Sequence, residues 1–124
     1  MSRRPLPPVP AILGALAAAL LAGGCGPKEP GARVWARKCA ACHGREGKGD
    51  TRFAKGRPYT DLTDDLWKHG GDAESIRKLI ADGDPKSPMP PYRDRLSPDE
   101  IDAVTRHVIR LGATARVPPV PEAK

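Results

Sequence analysis

Aromatic residues are scarce in this chain: two Trp, two Tyr and one Phe among 124 residues. So few large rings exclude a core built on aromatic packing. A chain of this length makes one domain, not two, and one this poor in core material needs a crosslink, a metal or a bound apolar body to stay folded. Cysteine is scarce too. Three thiols, Cys25, Cys39 and Cys42, cannot all pair within one chain, which excludes a closed disulfide scaffold. Long hydrophobic runs are absent: residues 11–22 (AILGALAAALLA) are apolar but fall short of the roughly 18 residues that span a bilayer. No nucleophile–base pairing or open metal motif is visible, so nothing marks an enzyme active site. What is abundant is backbone punctuation, with 15 Pro and 13 Gly.

The N-terminus reads as an export signal. Arg3 and Arg4 form a basic start, and the apolar run has the length of a signal-peptide core. The sequence Leu21-Ala22-Gly23-Gly24-Cys25 resembles a bacterial lipobox, with its Leu one place early. That resemblance implies cleavage before Cys25 and a lipid on its thiol. An ordinary signal peptide cut near Ala22, or an uncleaved anchor, are the alternatives; all three place the rest outside the cytoplasm. Cleavage before Cys25 leaves 100 residues, with Arg3 and Arg4 lost and the net charge lowered from +6 to +4. Residues 25–30 make a short, proline-stiffened tether that holds the domain close to a membrane. Bases and acids are mixed along an exported chain, so the basic balance does not indicate nucleic acid.

Cys39-Ala40-Ala41-Cys42-His43 is the spacing of covalent c-type haem attachment: two thiols to bond the vinyl groups and a histidine to ligate the iron. With Cys25 lipidated, every cysteine has a use. The rivals are a Cys39–Cys42 disulfide, a redox dithiol without its usual strand–helix context, and zinc on Cys39, Cys42 and His43 with His69 or His107 as fourth ligand. A helix over residues 31–42 puts Ala32, Trp35, Cys39 and Cys42 in one quadrant, with Arg33, Arg37 and Ala40 opposite.

Gly31, Trp35, Cys39-x-x-Cys42-His43-Gly44, Gly47 and Gly49 together resemble the N-terminal helix and haem-binding loop of class I, mono-haem c-type cytochromes. The likeness extends over residues 31–111. It implies a small all-α domain over residues 31–112, wrapped around one covalent haem c. It also implies a proline carbonyl that accepts the axial histidine's second ring proton, a contact that fixes the tautomer; Pro58 is the candidate. The intervening run, residues 44–60, reads as a loop carrying Arg45, Lys48, Arg52, Lys55 and Arg57, either a docking face or a merely solvated one.

Residues 63–69 suggest a short helix capped by Thr63. Its Trp67 either packs in the core or reaches a haem propionate. Residues 72–82 read as a better helix, capped by Asp72 and stopped by Gly83, with Ala73, Ile76, Leu79 and Ile80 on one face. Then four prolines in residues 84–92 exclude helix and preset an extended loop around Met89, the only methionine after the signal. Met and His are a recognised axial pair for c-type haem, and the family carries its distal ligand in such a loop, so Met89 is the candidate sixth ligand and His69 the rival. Tyr92 is expected to pack near this loop. Ser97-Pro98-Asp99-Glu100 is a capping box that opens the last helix, whose stripe is Ile101, Val104, Val108 and Leu111 and whose stop is Gly112. His107 stands where the family usually has Tyr. Residues 113–124 form a proline-rich tail.

A His/Met pair leaves no open coordination position, so the implied chemistry is one-electron transfer. The expected role is a carrier lipid-anchored on the periplasmic side of a bacterial membrane. It would link a quinol-oxidising complex or dehydrogenase to a terminal oxidase or reductase, as a monomer or as a subunit of a complex. The alternative is a non-carrier haem module, either a haem subunit of a larger redox enzyme or a gas sensor.

Overall fold

The computed structural model describes residues 26–116 and the single positions 5, 8 and 24. The rest of the expected signal segment, Cys25 and the tail beyond residue 116 lie outside the described residues. Among those described there is no strand, and no helix is long and apolar enough to cross a membrane.

Helix α1 spans Pro30–Lys38 and α2 spans Ala40–His43. Pro30 opens α1, and the Glu29 carboxylate accepts a hydrogen bond from the Ala32 N–H at 2.9 Å. The expected single helix through Cys42 is interrupted at Cys39, and the wheel resets there. Ala40, assigned to the outer face, packs instead against the core. Val34, outside the expected quadrant, is buried.

The next regular element is a 3₁₀ turn at Pro58–Thr60. No helix forms over residues 63–69. Asp61 Oδ1 accepts from both the N–H and the hydroxyl of Thr63, and Asp64 Oδ1 accepts from Leu66 N–H. These local bonds take the donors that a helix would use. Helix α3, Ala73–Asp82, follows the expectation: Asp72 caps it through Ser75 N–H, and Gly83 closes it at φ +69°. Ile76 and Ile80 are buried, but Ala73 is exposed.

Helix α4, Pro98–Arg116, opens on the reciprocal bonds of the capping box, Ser97 N–H to Glu100 Oε2 at 2.9 Å and Glu100 N–H to Ser97 Oγ at 3.2 Å. It does not stop at Gly112, which is buried inside it; the helix overruns the expected start of the tail. Helix α4 packs on both α1 and α3. The α1–α4 contact is backbone-close: a Cβ on Gly31 would sit 2.2 Å from the Ala103 carbonyl oxygen. Val34, Trp35, Ile76, Ile80, Leu96, Ile101, Val104 and Val108 make the core between the three helices.

Candidate haem site

α1 and α2 present Trp35, Cys39, Cys42 and His43 to one cleft of about 450 Å³. Across it stand Pro58, Tyr59, Thr60 and Leu62, the segment around Trp67, Ile76 and Ile80 of α3, Met89 and Val108. The volume lies within the roughly 300–1,000 Å³ range of ligand and cofactor pockets. All six residues proposed from the sequence at this site, Cys39, Cys42, His43, Pro58, Trp67 and Met89, line that one cleft.

The walls are positioned by backbone closure. Gly44 takes φ +83° and ends α2. Gly49, at φ +64°, donates its N–H to the His43 carbonyl at 2.8 Å, and Leu62 N–H bonds the Gly47 carbonyl at 2.7 Å. The loop is thereby folded back under His43. Trp35 links it to α1 by donating Nε1–H to the Arg45 carbonyl at 3.0 Å, with its ring 5.9 Å from that of His43.

His43 Nδ1–H donates to the Thr60 carbonyl at 2.9 Å. The expected bond from the imidazole to a backbone carbonyl exists, but its acceptor is Thr60 and not Pro58. Pro58 opens the 3₁₀ turn, and its own carbonyl is taken by Asp61 N–H. With the Pro58 carbonyl used inside the turn, it is the residue at the turn's end, Thr60, whose carbonyl meets the imidazole. Burial pulls the His43 pKa below its ordinary value, against the opposing Thr60 bond. With Nδ1–H engaged by Thr60, Nε2 is the lone-pair nitrogen of the neutral ring.

Cys39 and Cys42 are both free thiols, partly buried. Burial, followed by the neighbouring Cys42, pushes the Cys39 thiol up to about 11. Met89 is half-buried against the core. Two free thiols, an imidazole of fixed tautomer and a thioether on one apolar cleft are the donor set that haem c requires, and the residues fit it. Zinc is not supported: among the described residues no group of three or more His, Cys, Asp or Glu side chains could hold a metal ion. His69 is committed to Asp84, with Nε2 3.0 Å from Oδ2. His107 packs against Trp35 in a tilted arrangement, ring centres 5.5 Å apart, in the slot expected of an aromatic.

Trp67 lines the cleft, but its Nε1–H is already donated to the Asp64 carbonyl at 3.1 Å. Its packing role stands, and its donor is spent within its own turn. Of the five loop cations only Arg57 borders the cleft; Lys38, Lys68 and Lys86 join it from other segments. Sequence reasoning missed Asp84, a buried carboxylate at the root of the Met89 loop. The Asp-Pro step after a helix-ending glycine was its only signal.

Residues 26–108 match the family described as cytochrome c oxidase, cbb3-type, subunit III. The chain belongs to the cytochrome c family, in that subunit III group. It is 40% identical over 84 residues to the cbb3-type cytochrome c oxidase subunit FixP of Azorhizobium caulinodans, which covers 68% of this chain and 27% of that protein. It is 35% identical over 82 residues to subunit CcoP of Rubrivivax gelatinosus, covering 65% of this chain and 25% of that protein. The chain thus spans about a quarter of the length of the curated relatives it matches. Among solved structures it resembles the KustC0563 c-type cytochrome, with a TM-score of 0.56 at 27% identity over 65% of this chain and 95% of the other. It also resembles cytochrome c6 of the diatom Phaeodactylum tricornutum, with a TM-score of 0.55 at 27% identity over 69% of this chain and 94% of the other. The architecture is accordingly an all-α cytochrome c domain, and the family indicates haem c as the cofactor.

Proposed function

We propose that this chain is a single-electron carrier that holds one haem c, bonded through Cys39 and Cys42 and ligated axially by His43 and Met89. The observation that carries this reading is the convergence of those four side chains on one apolar cleft, with the His43 tautomer already set by Thr60. Bound there, haem c supplies one-electron exchange between ferrous and ferric iron. The protein's own part is to hold both axial donors in place across that change. His43 keeps its orientation through Thr60, and Met89, half-buried against the core, would offer its thioether to the iron and keep water and substrate from it. The soft thioether favours the ferrous form relative to a second imidazole, which raises the potential.

The cleft mouth suits a redox partner of negative surface potential. Lys38, Arg57, Lys68 and Lys86 border it, together with Tyr59 and Leu66, which are 53% and 57% exposed. Cations around an apolar contact steer encounter and leave the contact itself weak enough to release. The donor would be a quinol-oxidising complex or dehydrogenase, and the acceptor a terminal oxidase or reductase. Cys25 would carry a lipid after removal of residues 1–24, and residues 25–30 would tether the domain on the periplasmic side of a membrane. A second reading, a fixed haem subunit of a larger redox complex, is favoured by the relatives, which are oxidase subunits by name.

Reduced-minus-oxidised spectra with a redox titration test the carrier. The expected result is a low-spin c-type band, with a lower potential and loss of the sulfur-to-iron absorption in Met89→Ala. A Met89→Ala protein that keeps both would refute the ligand assignment. Copurification of the chain with other redox subunits in stoichiometric amount would decide for the second reading.

A further inference from the structure

The haem reading accounts for most of the cleft but leaves one buried charge without a role. Asp84 is 7% exposed and lies five residues before Met89. Its carboxylate is fully engaged. Oδ1 accepts the Lys86 N–H at 3.0 Å, while Oδ2 accepts from Lys68 Nζ at 3.1 Å and lies 3.0 Å from His69 Nε2. Its backbone is engaged as well. The Asp84 N–H donates to the Met89 carbonyl at 3.2 Å, and the Asp84 carbonyl accepts from Ser87 N–H at 3.0 Å. Ser87 Oγ in turn accepts from Met89 N–H at 3.3 Å. Residues 84–89 are thus a small closed loop with Asp84 as its hub, and both backbone polar groups of Met89 are held by it.

That hub is also a bridge. Lys68 and His69 belong to the segment that forms a separate wall of the same cleft. Lys68 additionally lies over the Tyr59 ring, 6.0 Å from its centre. The Lys86 N–H first, then His69 and Lys68, hold the Asp84 carboxyl well below the usual carboxylate range. A buried carboxylate costs free energy unless it is paired and hydrogen-bonded; here the Lys86 N–H holds it within the methionine loop, and Lys68 and His69 tie that loop to another cleft wall.

We propose that Asp84 is a positioning residue for Met89, clasping the methionine loop to the Lys68–His69 wall so that the thioether stays over the iron. This rests on the reading of Met89 as the sixth ligand. The clasp stiffens the loop against the outward swing that Met89 would make on leaving the metal. It also occupies Nε2 of His69, the one other imidazole besides His43 that borders the cleft.

The test is the affinity of the oxidised, haem-loaded full chain for added imidazole, which must displace Met89 to bind. All variants are built on His69→Gln, which keeps a donor for Asp84 but removes a histidine that could itself compete. On that background Asp84→Ala is expected to bind imidazole about tenfold more tightly, the scale of losing hydrogen bonds to a charged group. Its sulfur-to-iron absorption should weaken in parallel. Asp84→Asn, which keeps one acceptor oxygen and turns the other into an amide donor without charge, should fall between the two and serves if the alanine variant does not fold. Arg77→Gln breaks the Arg77–Asp102 pair between α3 and α4; it should leave the affinity unchanged, which separates positioning from general loosening. An affinity within twofold of the parent in both Asp84 variants overturns the proposal, as does an equal rise in Arg77→Gln. Met89→Ala is run beside them. If it leaves imidazole affinity and absorption at parental values, it is the assignment of Met89 as a ligand that fails.

Discussion

Replacing Gly31 by Ala should destabilise this protein, although helix propensity alone says the reverse. An Ala in place of Gly inside a helix gains up to about 1 kcal/mol. Gly31 is in α1 and has no positive φ, so the backbone itself would accept the change. The obstacle is the neighbour. The new Cβ would lie 2.2 Å from the Ala103 carbonyl oxygen and 2.8 Å from its carbon, where ordinary contact begins at 3.4 Å. Both atoms belong to the backbone of α4 and cannot rotate away, so the helices must part by about 1 Å at the crossing. Overpacking of this kind costs about 1–3 kcal/mol. Separation would also thin the contacts of Val34, Val104 and the tilted Trp35–His107 ring pair. The net expectation is a loss of about 2 kcal/mol. With a urea dependence of about 1–3 kcal/mol per molar for a small protein, the unfolding midpoint should fall by about 1 M in the haem-loaded protein. A Gly31→Ala protein with an unchanged or raised midpoint would refute the close crossing.

Other substitutions follow the same logic. Gly83 sits at φ +69°, and a Cβ there would lie 2.6 Å from Pro91 N and 2.9 Å from the Met89 carbonyl oxygen; Gly83→Ala should cost about 2–4 kcal/mol and be visible in thermal unfolding. Ser97→Ala removes one half of the α4 capping box and should cost about 1 kcal/mol, measured by the same melt. His107 has a buried Nε2 without a hydrogen-bond partner, so His107→Phe should gain about 1 kcal/mol near pH 7.5. Its titration adds a pH test. Burial, then Arg110, lowers the folded His107 pKa, against Glu29. Below the unfolded value of about 6.5, the unfolded chain takes up a proton that the folded chain resists, and stability falls as the pH falls. The advantage of His107→Phe in urea midpoint should therefore widen from pH 7.5 to pH 5; a constant or shrinking gap would contradict the burial of that ring.

Much of this was legible because it is local chemistry. Cys39, Cys42 and His43 are adjacent in sequence and carry their own meaning. The caps of α3 and α4 are side-chain-to-backbone bonds over three residues, readable from Asp72 and from Ser97 with Glu100. Met89 stood out as a lone thioether among prolines, and the structure brings it to the cysteines' cleft from 47 residues beyond Cys42. What escaped depended on geometry that residue type does not encode. The acceptor for His43 is a backbone carbonyl, and any residue can supply one; only the course of the 3₁₀ turn selects Thr60 over Pro58. The interruption of the first helix at Cys39 has no glycine or proline to announce it. Residues 63–69 have a helix's charges, but Asp61 and Asp64 spend their side chains on local turns. Gly112 lies within α4 and is itself buried, so tertiary context overrides a weak stop signal. Asp84 is buried only because Lys68 and His69, 16 and 15 residues upstream, fold onto it.

The central claim is that Cys39 and Cys42 bond one haem. The intact mass of the purified protein, taken under denaturing conditions that release non-covalent ligands, tests it most directly. One polypeptide carrying the added mass of one haem, lost in Cys39→Ala with Cys42→Ala, is the expected result. A mass equal to the polypeptide alone, from cells competent to attach haem, would contradict it.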